Sequence, residues 1–210
     1  MTTKIFYTKV NALEEKDLFE KGLSLVNEDR KSKVLACKME ADQRRSLAAG
    51  LLIRYACEKL GYSYPDMIFY KEAGGRPYVE EFMFNVSHSG NIAAIIAGDM
   101  PAGIDVEWSG RFDGQRGEKR LHSIMEKIFD DEEKKKCVSK KEAIRIWTCK
   151  ESYAKANGAG LGMDFSKIHT CSREGWTSYE IEDEYIMSAY LCRTGKIENP
   201  VCVHLEEMIG

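Results

Sequence analysis

Two long helical segments, each flanked by short strand-like segments, constrain the fold of this chain more than any other feature. The first runs from Asp42 to Leu60 and is followed by Gly61, a residue that commonly ends helices. The second runs from Lys140 to Asn157 and is followed by a cluster of glycines. Each half of the chain therefore mixes strands with helices, which is compatible with an α+β fold.

The length and composition set the scale of that fold. At 210 residues and 43% hydrophobic residues, the chain can bury one sizeable core or two small ones. The clearest interruption near the middle is the turn signal Gly98-Asp99-Met100-Pro101, and a new strand begins directly after it. We therefore expect an N-terminal subdomain over residues 1–101 and a C-terminal subdomain over residues 102–210.

Charge, hydropathy and cysteine spacing exclude several classes of protein. The net charge is −3, whereas a protein that coats nucleic acid usually has a strongly basic domain. The longest fully apolar run, Ile92 to Ala97, is too short to span a membrane, and the first residues contain no apolar block of signal-peptide length. The seven cysteines are an odd number without Cys-x-x-Cys spacing, which argues against a disulfide framework or a zinc site. We expect a cytoplasmic protein that binds neither nucleic acid nor membranes.

Two acidic residues alternate with apolar ones in the strand-like segment Gly103-Ile104-Asp105-Val106-Glu107. Because successive side chains of a strand point to opposite faces, Asp105 and Glu107 project to the same side. Two carboxylates at that spacing suit Mg²⁺, which prefers carboxylate, phosphate and water oxygens. Taken alone, the same pattern is more often a solvated strand face with two ordinary acids.

A stripe of three side chains runs along the second long helix. Trp147, Glu151 and Lys155 are each four residues apart and therefore lie on one helix face. The glutamate could be a metal ligand or a general base, and the lysine could hold a phosphate. The simpler alternative is a Glu–Lys surface pair, which contributes about 0.3–0.5 kcal/mol.

Three further regions carry side chains suited to phosphate. Ser87-His88-Ser89-Gly90-Asn91 is a polar loop between two strand signals, where His88 could donate to a phosphate or the segment could be an ordinary hairpin turn. Gly74-Gly75-Arg76-Pro77-Tyr78 is either a turn before a strand or a backbone surface beside a planar base. Five cations, which could bind a phosphate dianion or lie in solvent, complete the set: Arg30, Lys33, Arg44, Arg45 and Arg54.

The order and joint spacing of these motifs, from about Arg30 to Leu161, resemble the 4′-phosphopantetheinyl transferases of the larger, single-chain (Sfp) type. The motifs that carry the resemblance are Gly75-Arg76-Pro77, Phe84-Asn85-Val86-Ser87-His88-Ser89, Gly103-Ile104-Asp105-Val106-Glu107 and Trp147-x-x-Lys150-Glu151-Ser152-x-x-Lys155. The last two are the family's most specific pair. The resemblance implies an α+β fold in which two similar subdomains form a pseudo-twofold pair around a cleft, and it implies a monomer.

The resemblance also implies a role for each matching residue of the second half. Asp105, Glu107 and Glu151 match the acidic triad that holds Mg²⁺ with the coenzyme A pyrophosphate. Because that Mg²⁺ is bound to the pyrophosphate, the resemblance also implies that Asp105 contributes to binding coenzyme A. Lys155 matches the lysine beside the phosphates. The acid that the family carries after an aromatic residue follows Phe129 here, and any residue from Asp130 to Glu133 could correspond to it.

In the first half, the resemblance implies a set of coenzyme A contacts. Ser87 and His88 match the strand end that contacts phosphate. The other contacts are Gly75, Arg76 and Pro77 beside the adenine, Arg45 at the 3′-phosphate, and Arg30 with Lys33 as an upstream basic pair. Arg76 stands where the family usually has lysine, and Arg44 is an alternative to Arg45.

The reaction that the resemblance implies is transfer of the phosphopantetheine arm of coenzyme A to a serine of an apo acyl or peptidyl carrier protein, with release of adenosine 3′,5′-bisphosphate. Glu151 is the first candidate for the general base, with Glu107 or a metal-bound water as alternatives. Two other functions stay open: a non-catalytic module that binds a nucleotide or a carrier, and another Mg²⁺-dependent phosphotransferase, although the chain has no P-loop motif.

The charge is unevenly distributed along the chain. Residues 174–210 carry eight acids against Arg193 and Lys196, so the remainder is mildly basic. A basic body suits a polyanionic cofactor and an acidic carrier protein. We expect the carrier to dock near the lysine-rich segment from Lys134 to Lys141.

Overall fold

The computed structural model describes residues 3–71, 77–158, 163–171, 174–193 and 195–210. In chain order its strands and helices are β1 (Lys4–Lys9), α1 (Lys16–Ser24), α2 (Glu28–Leu35), α3 (Glu40–Lys59), β2 (Tyr70–Lys71), β3 (Pro77–Tyr78), β4 (Met83–Ser89), β5 (Ile92–Gly98), β6 (Ala102–Trp108), α4 (Gly114–Ile128), α5 (Asp131–Lys136), α6 (Lys140–Ala156), β7 (Trp176–Ile181), β8 (Tyr185–Leu191), β9 (Val201–Cys202) and α7 (Leu205–Ile209). The predicted α+β class is confirmed.

The chain folds into two compact units. The first comprises Met1–Asp99 and Lys196–Gly210, and the second comprises Met100–Gly195. Each unit has a sheet covered by one long helix, α3 in the first and α6 in the second. None of the helices in the described ranges is both long enough and apolar enough to cross a membrane.

The C-terminal segment differs from the predicted division of the chain. The prediction placed all of residues 102–210 in the C-terminal subdomain, but β9 pairs in parallel with β1, with Phe6 opposite Val201. Met208 and Ile209 of α7 lie in the core of the first unit. The physical reason is that β9 covers a sheet edge that β1 would otherwise expose, while α7 buries its apolar side chains against α3.

The first unit has the strand order β4-β5-β1-β9, and β4, β5 and β1 are antiparallel neighbours. Leu47 and Leu51 of α3 are fully buried with Ile95 of β5, which confirms the predicted helix. The predicted hairpin is also confirmed. However, β4 continues through Ser89, so Ser87 and His88 lie in a strand rather than in the loop, and the turn starts at Gly90 with φ of 53°.

The second unit has the antiparallel strand order β6-β8-β7, with α6 packed on β6 and β8. Gly103 permits that packing. A Cβ atom at this position would lie 1.9 Å from the carbonyl oxygen of Ser152 and 2.6 Å from the backbone nitrogen of Ala156. The backbone of α6 therefore rests directly on β6, and this contact brings the motif of the strand beside the motif of the helix.

The sequence also predicts a helix from Glu118 to Cys137 and a strand near residues 165–170; in the second unit the helix is interrupted and the strand prediction is wrong. The expected helix from Glu118 to Cys137 is divided into α4 and α5, because Asp130 starts a new helix with a capping box that it shares with Glu133. The expected strand at 165–170 is a 3-10 turn over Phe165–Lys167. Phe165 and Ile168 are both buried, and their spacing of three residues suits a helical turn rather than the alternation of a strand.

Candidate functional site

Three carboxylates of the second unit form a group that we call the acidic cluster: Asp105 and Glu107 on β6, and Glu151 on α6. Asp105 and Glu107 are buried. The Nζ atom of Lys155 lies 2.6 Å from Oδ1 of Asp105, and Nη1 of Arg111 lies 2.5 Å from Oε1 of Glu107. The structure therefore brings the strand motif and the helix motif together.

Burial and repulsion from the neighbouring acids both act on the carboxyl of Glu151. Burial, and then the charges of Asp105 and Glu107, raise the pKa of this carboxyl to about 7, against the opposing effect of Lys155 and Arg111. A carboxyl with a pKa near neutrality can accept a proton at physiological pH and give it up again. The cluster also favours the approach of a cation, since a cation relieves the repulsion.

The donor atoms of the acidic cluster suit Mg²⁺ in chemical type, because all are carboxylate oxygens. Within the described ranges, however, no three His, Cys, Asp or Glu side chains are arranged to hold a metal ion. Lys155 pairs with Asp105, and Arg111 pairs with Glu107. The three carboxylates suit Mg²⁺ in donor atom and in charge, but they are not arranged as a complete coordination site.

A fully buried ion pair anchors α6 next to the acidic cluster. Lys150 and Glu133 are both completely buried, and their charged atoms lie 2.8 Å apart. Lys150 also donates to the carbonyl oxygens of Phe165 and Ile168, at 3.0 and 2.6 Å. The carboxylate of Glu133 also accepts two hydrogen bonds from Thr170, one from the backbone N–H and one from the hydroxyl. The network joins α5, α6 and the 163–171 segment, and it fixes the helix turn that carries Glu151.

The first unit contains a second candidate region, which we call the basic pocket. It lies between α2, α3 and the β2–β3 ladder, has a volume of about 50 Å³, and is lined by residues that include Asn27, Asp29, Arg30, Lys33, Tyr64 and Lys71. The Arg30 side chain is buried, with only 9% of its surface exposed. Its guanidinium forms no ion pair with any described residue. Burial lowers the pKa of Arg30, and burial and the charges of Arg30 and Lys71 lower that of Lys33.

The other predicted contacts of the first unit are partly grouped. Pro77 lines the basic pocket. Arg45 donates to the carbonyl oxygen of Gly90 at 3.0 Å, which puts it beside the hairpin that follows Ser87 and His88. Ser87 is buried and His88 is exposed on the opposite face of β4. Gly75 and Arg76 lie outside the described residues.

Sequence reasoning missed Arg111, Lys71 and the pairing of Lys150 with Glu133. Arg111 was not considered, although it is four residues after Glu107. Lys150 and Glu133 are part of motifs that were quoted, but nothing in the sequence joins them. Lys71 is exposed and follows a tyrosine in an unremarkable segment, so only its place at the pocket reveals it.

Comparisons with known proteins agree with the motifs. A model of the 4′-phosphopantetheinyl transferase superfamily matches residues 101–203, and a model of the 4′-phosphopantetheinyl transferase N-terminal domain matches residues 14–100. A 4′-phosphopantetheinyl transferase of Bacillus pumilus is 27% identical over 195 residues, which cover 86% of this chain and 80% of that protein.

Two further relatives extend the similarity. A 4′-phosphopantetheinyl transferase of Aneurinibacillus migulanus is 28% identical over 160 residues, which cover 75% of this chain and 67% of that protein. The L-aminoadipate-semialdehyde dehydrogenase-phosphopantetheinyl transferase of Homo sapiens is 28% identical over 144 residues, which cover 60% of this chain and 46% of that protein. Together with the two family models, which span nearly the whole chain, these matches show that the chain belongs to the 4′-phosphopantetheinyl transferase superfamily.

Proposed function

We propose that this chain transfers the 4′-phosphopantetheine arm of coenzyme A to a serine of an apo acyl or peptidyl carrier protein and releases adenosine 3′,5′-bisphosphate. The observation that carries the proposal is the acidic cluster beside Lys155, in a chain of this family. The carrier serine is the nucleophile, so the reaction needs no serine of the enzyme. Its hydroxyl oxygen bonds to the β-phosphorus of coenzyme A, and the bond from that phosphorus to the bridging oxygen breaks.

Asp105, Glu107 and Glu151 would hold Mg²⁺ together with the pyrophosphate of coenzyme A. The ion would neutralise charge on the pyrophosphate and orient it for in-line attack. The support is the chemical fit of three carboxylates whose repulsion a cation relieves. Arg111 and Lys155 supply positive charge beside Glu107 and Asp105.

Glu151 is our candidate for the general base. Its carboxylate would take the proton of the carrier hydroxyl; the pKa of about 7, which burial and the charges of Asp105 and Glu107 produce, applies before a cation binds, because a bound cation lowers it. Glu107 is the alternative on the same cluster, where Arg111 contacts it at 2.5 Å. Lys155 would stabilise negative charge on the phosphates as the bond to the leaving bisphosphate breaks.

The first unit would bind the adenosine end of coenzyme A. Arg30 and Lys33 of the basic pocket would contact the 3′-phosphate, because a buried guanidinium that pairs with no carboxylate among the described residues favours a bound anion. Arg45, Ser87 and His88 belong to a second group of contacts near the β4–β5 turn. The Gly75-Arg76-Pro77 motif would lie beside the adenine.

The carrier protein would dock on the lysine-rich segment from Lys134 to Lys141, where α5 ends and α6 begins. Three lysines of this segment already pair with acids: Lys134 with Glu126, Lys140 with Asp113, and Lys141 with Glu180. Lys135 and Lys136 are exposed, and Val138 beside them is 88% exposed. An acidic carrier surface with an apolar centre would complement this combination.

Charge reversal tests the docking surface. A Lys135→Glu, Lys136→Glu double variant should slow carrier modification more at low salt than at high salt, because salt screens exposed charges. The matched control is Lys16→Glu, on α1 of the first unit. Equal rates for the double variant and the control at both salt concentrations would remove this segment from the docking surface.

We also propose that the chain acts as a monomer in the cytoplasm. The two family models together match residues 14–203 of this one chain, so one copy supplies both regions. All seven cysteines are free, as a reducing compartment favours.

The experiment that tests the function is incubation of the protein with coenzyme A, Mg²⁺ and apo carriers of fatty-acid, polyketide and peptide type, followed by intact-mass measurement. We expect a mass increase of one phosphopantetheine arm on at least one carrier, and none when a chelator removes the metal. Unmodified carriers throughout would contradict the proposal. Thermal protection of the protein by ATP but not by coenzyme A would point instead to another phosphotransferase.

A further inference from the structure

A row of small polar side chains crosses the sheet of the second unit beneath α6. Ser188 of β8 lies directly opposite Asp105 of β6 on one side and Ser178 of β7 on the other. Side chains at directly opposite positions of an antiparallel pair share a face, so the row lies on the face that carries Asp105. Thr148 of α6 meets this row, with its Oγ1 atom 2.7 Å from Oγ of Ser188. Thr148 and Ser188 are both completely buried.

The hydrogen bonds of this row run in one direction. Thr148 donates its hydroxyl proton to the carbonyl oxygen of Arg145 at 3.0 Å, and a carbonyl oxygen can only accept. Because a hydroxyl has one proton, Thr148 accepts from Ser188, and Ser188 in turn accepts from Ser178 at 2.8 Å. We call this series, from Ser178 through Ser188 to Thr148, the hydroxyl chain. It ends on the backbone of α6, so it joins the sheet to the helix without a charged group.

Glu151 lies between two attachments of α6 to the sheet. Thr148, three residues before it, meets β8 through Ser188. Lys155, four residues after it, meets β6 through Asp105. In the proposed reaction the ammonium group of Lys155 turns to the phosphates, whereas the hydroxyl contact uses no reacting group. The hydroxyl contact can therefore hold the helix in place throughout the reaction.

We propose that Thr148 and Ser188 are positioning residues, which set the position of α6 along the sheet and thereby the spacing between Glu151 and Asp105. This inference rests on the proposed function, under which both carboxylates act at the pyrophosphate. Because the two hydroxyls are completely buried, they act through the carboxylates and do not contact the substrates. A displacement of reacting groups by about 1 Å can lower a rate about 100-fold, so a partial loss of this contact should be measurable in kcat.

The contact can be broken without leaving a buried donor unsatisfied. In Thr148→Val, which keeps the shape of the side chain, Ser188 can turn its proton to Ser178. Ser178 can then turn its own proton to Sγ of Cys149, 3.5 Å away. In Ser188→Ala, Thr148 still donates to the carbonyl oxygen of Arg145. We therefore expect both variants to fold, with melting temperatures within a few degrees of the unchanged protein.

The test is steady-state transfer to an apo carrier, with kcat and the KM for coenzyme A measured separately and a melting temperature for every variant. We expect Thr148→Val and Ser188→Ala each to lower kcat about tenfold and to change the KM for coenzyme A by less than about twofold. The double variant should also lose about tenfold, because the two changes remove one contact. Either single variant is sufficient if the other does not fold, since both break the same contact.

Two controls separate positioning from stability. Thr148→Ser keeps the hydroxyl and should retain kcat within about twofold. Ser152→Ala removes a buried hydroxyl whose hydrogen bond, to the carbonyl oxygen of Cys149 at 2.8 Å, stays within α6, and it should retain kcat to the same extent. Well below the melting temperature nearly all molecules are folded, so a loss of stability alone leaves kcat unchanged.

The pattern of kcat values decides the proposal. A loss of about tenfold in the two single variants and in the double variant, with both controls unaffected, would support it. Equal losses in Thr148→Val and Thr148→Ser, or a loss of about 100-fold in the double variant, would overturn it.

The outcome for the unchanged protein distinguishes this proposal from the proposed function. If the unchanged protein modifies a carrier and Thr148→Val and Ser188→Ala have the same kcat, only the positioning role fails. If the unchanged protein modifies none of the apo carriers, the proposed function fails, and the positioning role fails with it.

Discussion

In each unit a glycine allows a close contact at the candidate site, but the contact is with a backbone in the second unit and with a side chain in the first. In the second unit, a Cβ on Gly103 would meet backbone atoms of α6, the nearest at 1.9 Å. In the first unit, a Cβ on Gly50 would meet the alkyl stem of Arg30, whose Cγ would be 2.6 Å away. The acidic cluster is thus set by contact between two backbones, whereas the basic pocket depends on contact between a backbone and a side chain.

This difference fits the tasks that we propose for the two regions. Groups that act at a reacting phosphorus must be held within a fraction of an ångström, which backbone contacts and buried ion pairs provide. Cations that bind a phosphate that takes no part in the reaction need only reach it, and flexible stems are sufficient. The buried Lys150–Glu133 pair and the exposed Lys71–Asp29 pair repeat the same contrast.

Gly103→Ala should have the largest effect of the changes we consider. Because backbone atoms cannot move aside as a flexible side chain can, α6 must separate from β6, at a cost of more than about 4 kcal/mol in unfolding free energy. Any folded fraction should lose more than about 100-fold in kcat/KM. Chemical denaturation and transfer assays measure both. A loss of less than about 1 kcal/mol would show that the close contact does not determine the packing.

Lys150→Met should follow in size. It leaves Glu133 buried without its cation, and breaking such a pair costs about 3–5 kcal/mol, of which we expect the lower end because Thr170 still donates to the carboxylate. The double variant Lys150→Met, Glu133→Met should recover much of that stability, since no charge then remains buried. Denaturant titration of the single and double variants measures the coupling. Additive losses would contradict a paired network.

Gly50→Ala should have a smaller effect than Gly103→Ala. Its Cβ displaces the stem of Arg30 and not a backbone, so we expect a cost of about 1 kcal/mol. The KM for coenzyme A should rise about fivefold while kcat stays within about twofold, because the cation of the pocket moves and the acidic cluster does not. Steady-state kinetics provide the measurement. A fall in kcat equal to the rise in KM would erase the contrast between the two glycines.

Glu151→Gln should have the smallest effect on stability, with a definite dependence on pH. The pKa of Glu151 in the folded protein is about 7, above its ordinary value of 4.5, so the carboxyl favours folding at low pH and this contribution is lost as pH rises through 7. The amide should therefore raise the melting temperature at pH 8 by about 2–4 °C and change it little near pH 4.5. Calorimetry of the metal-free protein tests this. A larger rise near pH 4.5 than at pH 8 would contradict the sign.

The sequence predicted the long helices and the central strands because their apolar spacing is regular and their cores are local. It predicted the positions of Asp105 and Glu107 on one strand and of Glu151 and Lys155 on one helix for the same reason. The break between α4 and α5 was also accessible, since Asp130 and Glu133 have capping-box spacing.

Three other features could not be predicted, because they depend on contacts between residues that are far apart in the sequence. The partner of Lys150 could not be chosen among four successive acids, because the choice is made by Thr170 and the carbonyl groups of the 163–171 segment. The return of residues 196–210 to the first unit depends on pairing with β1, almost two hundred residues earlier in the chain. The raised pKa of Glu151 follows from burial beside two other acids, which no spacing rule measures.

The proposed division of tasks can be tested directly by measuring holo-carrier formation over a range of coenzyme A concentrations for Asp105→Asn and Arg30→Met. We predict that Asp105→Asn lowers kcat by more than about 100-fold, and that saturating coenzyme A does not restore it. We predict that Arg30→Met raises KM more than about tenfold with kcat within about threefold. If both variants change the same kinetic parameter, or if Asp105→Asn retains the kcat of the unchanged protein, the division between a reacting acidic cluster and a binding basic pocket is contradicted.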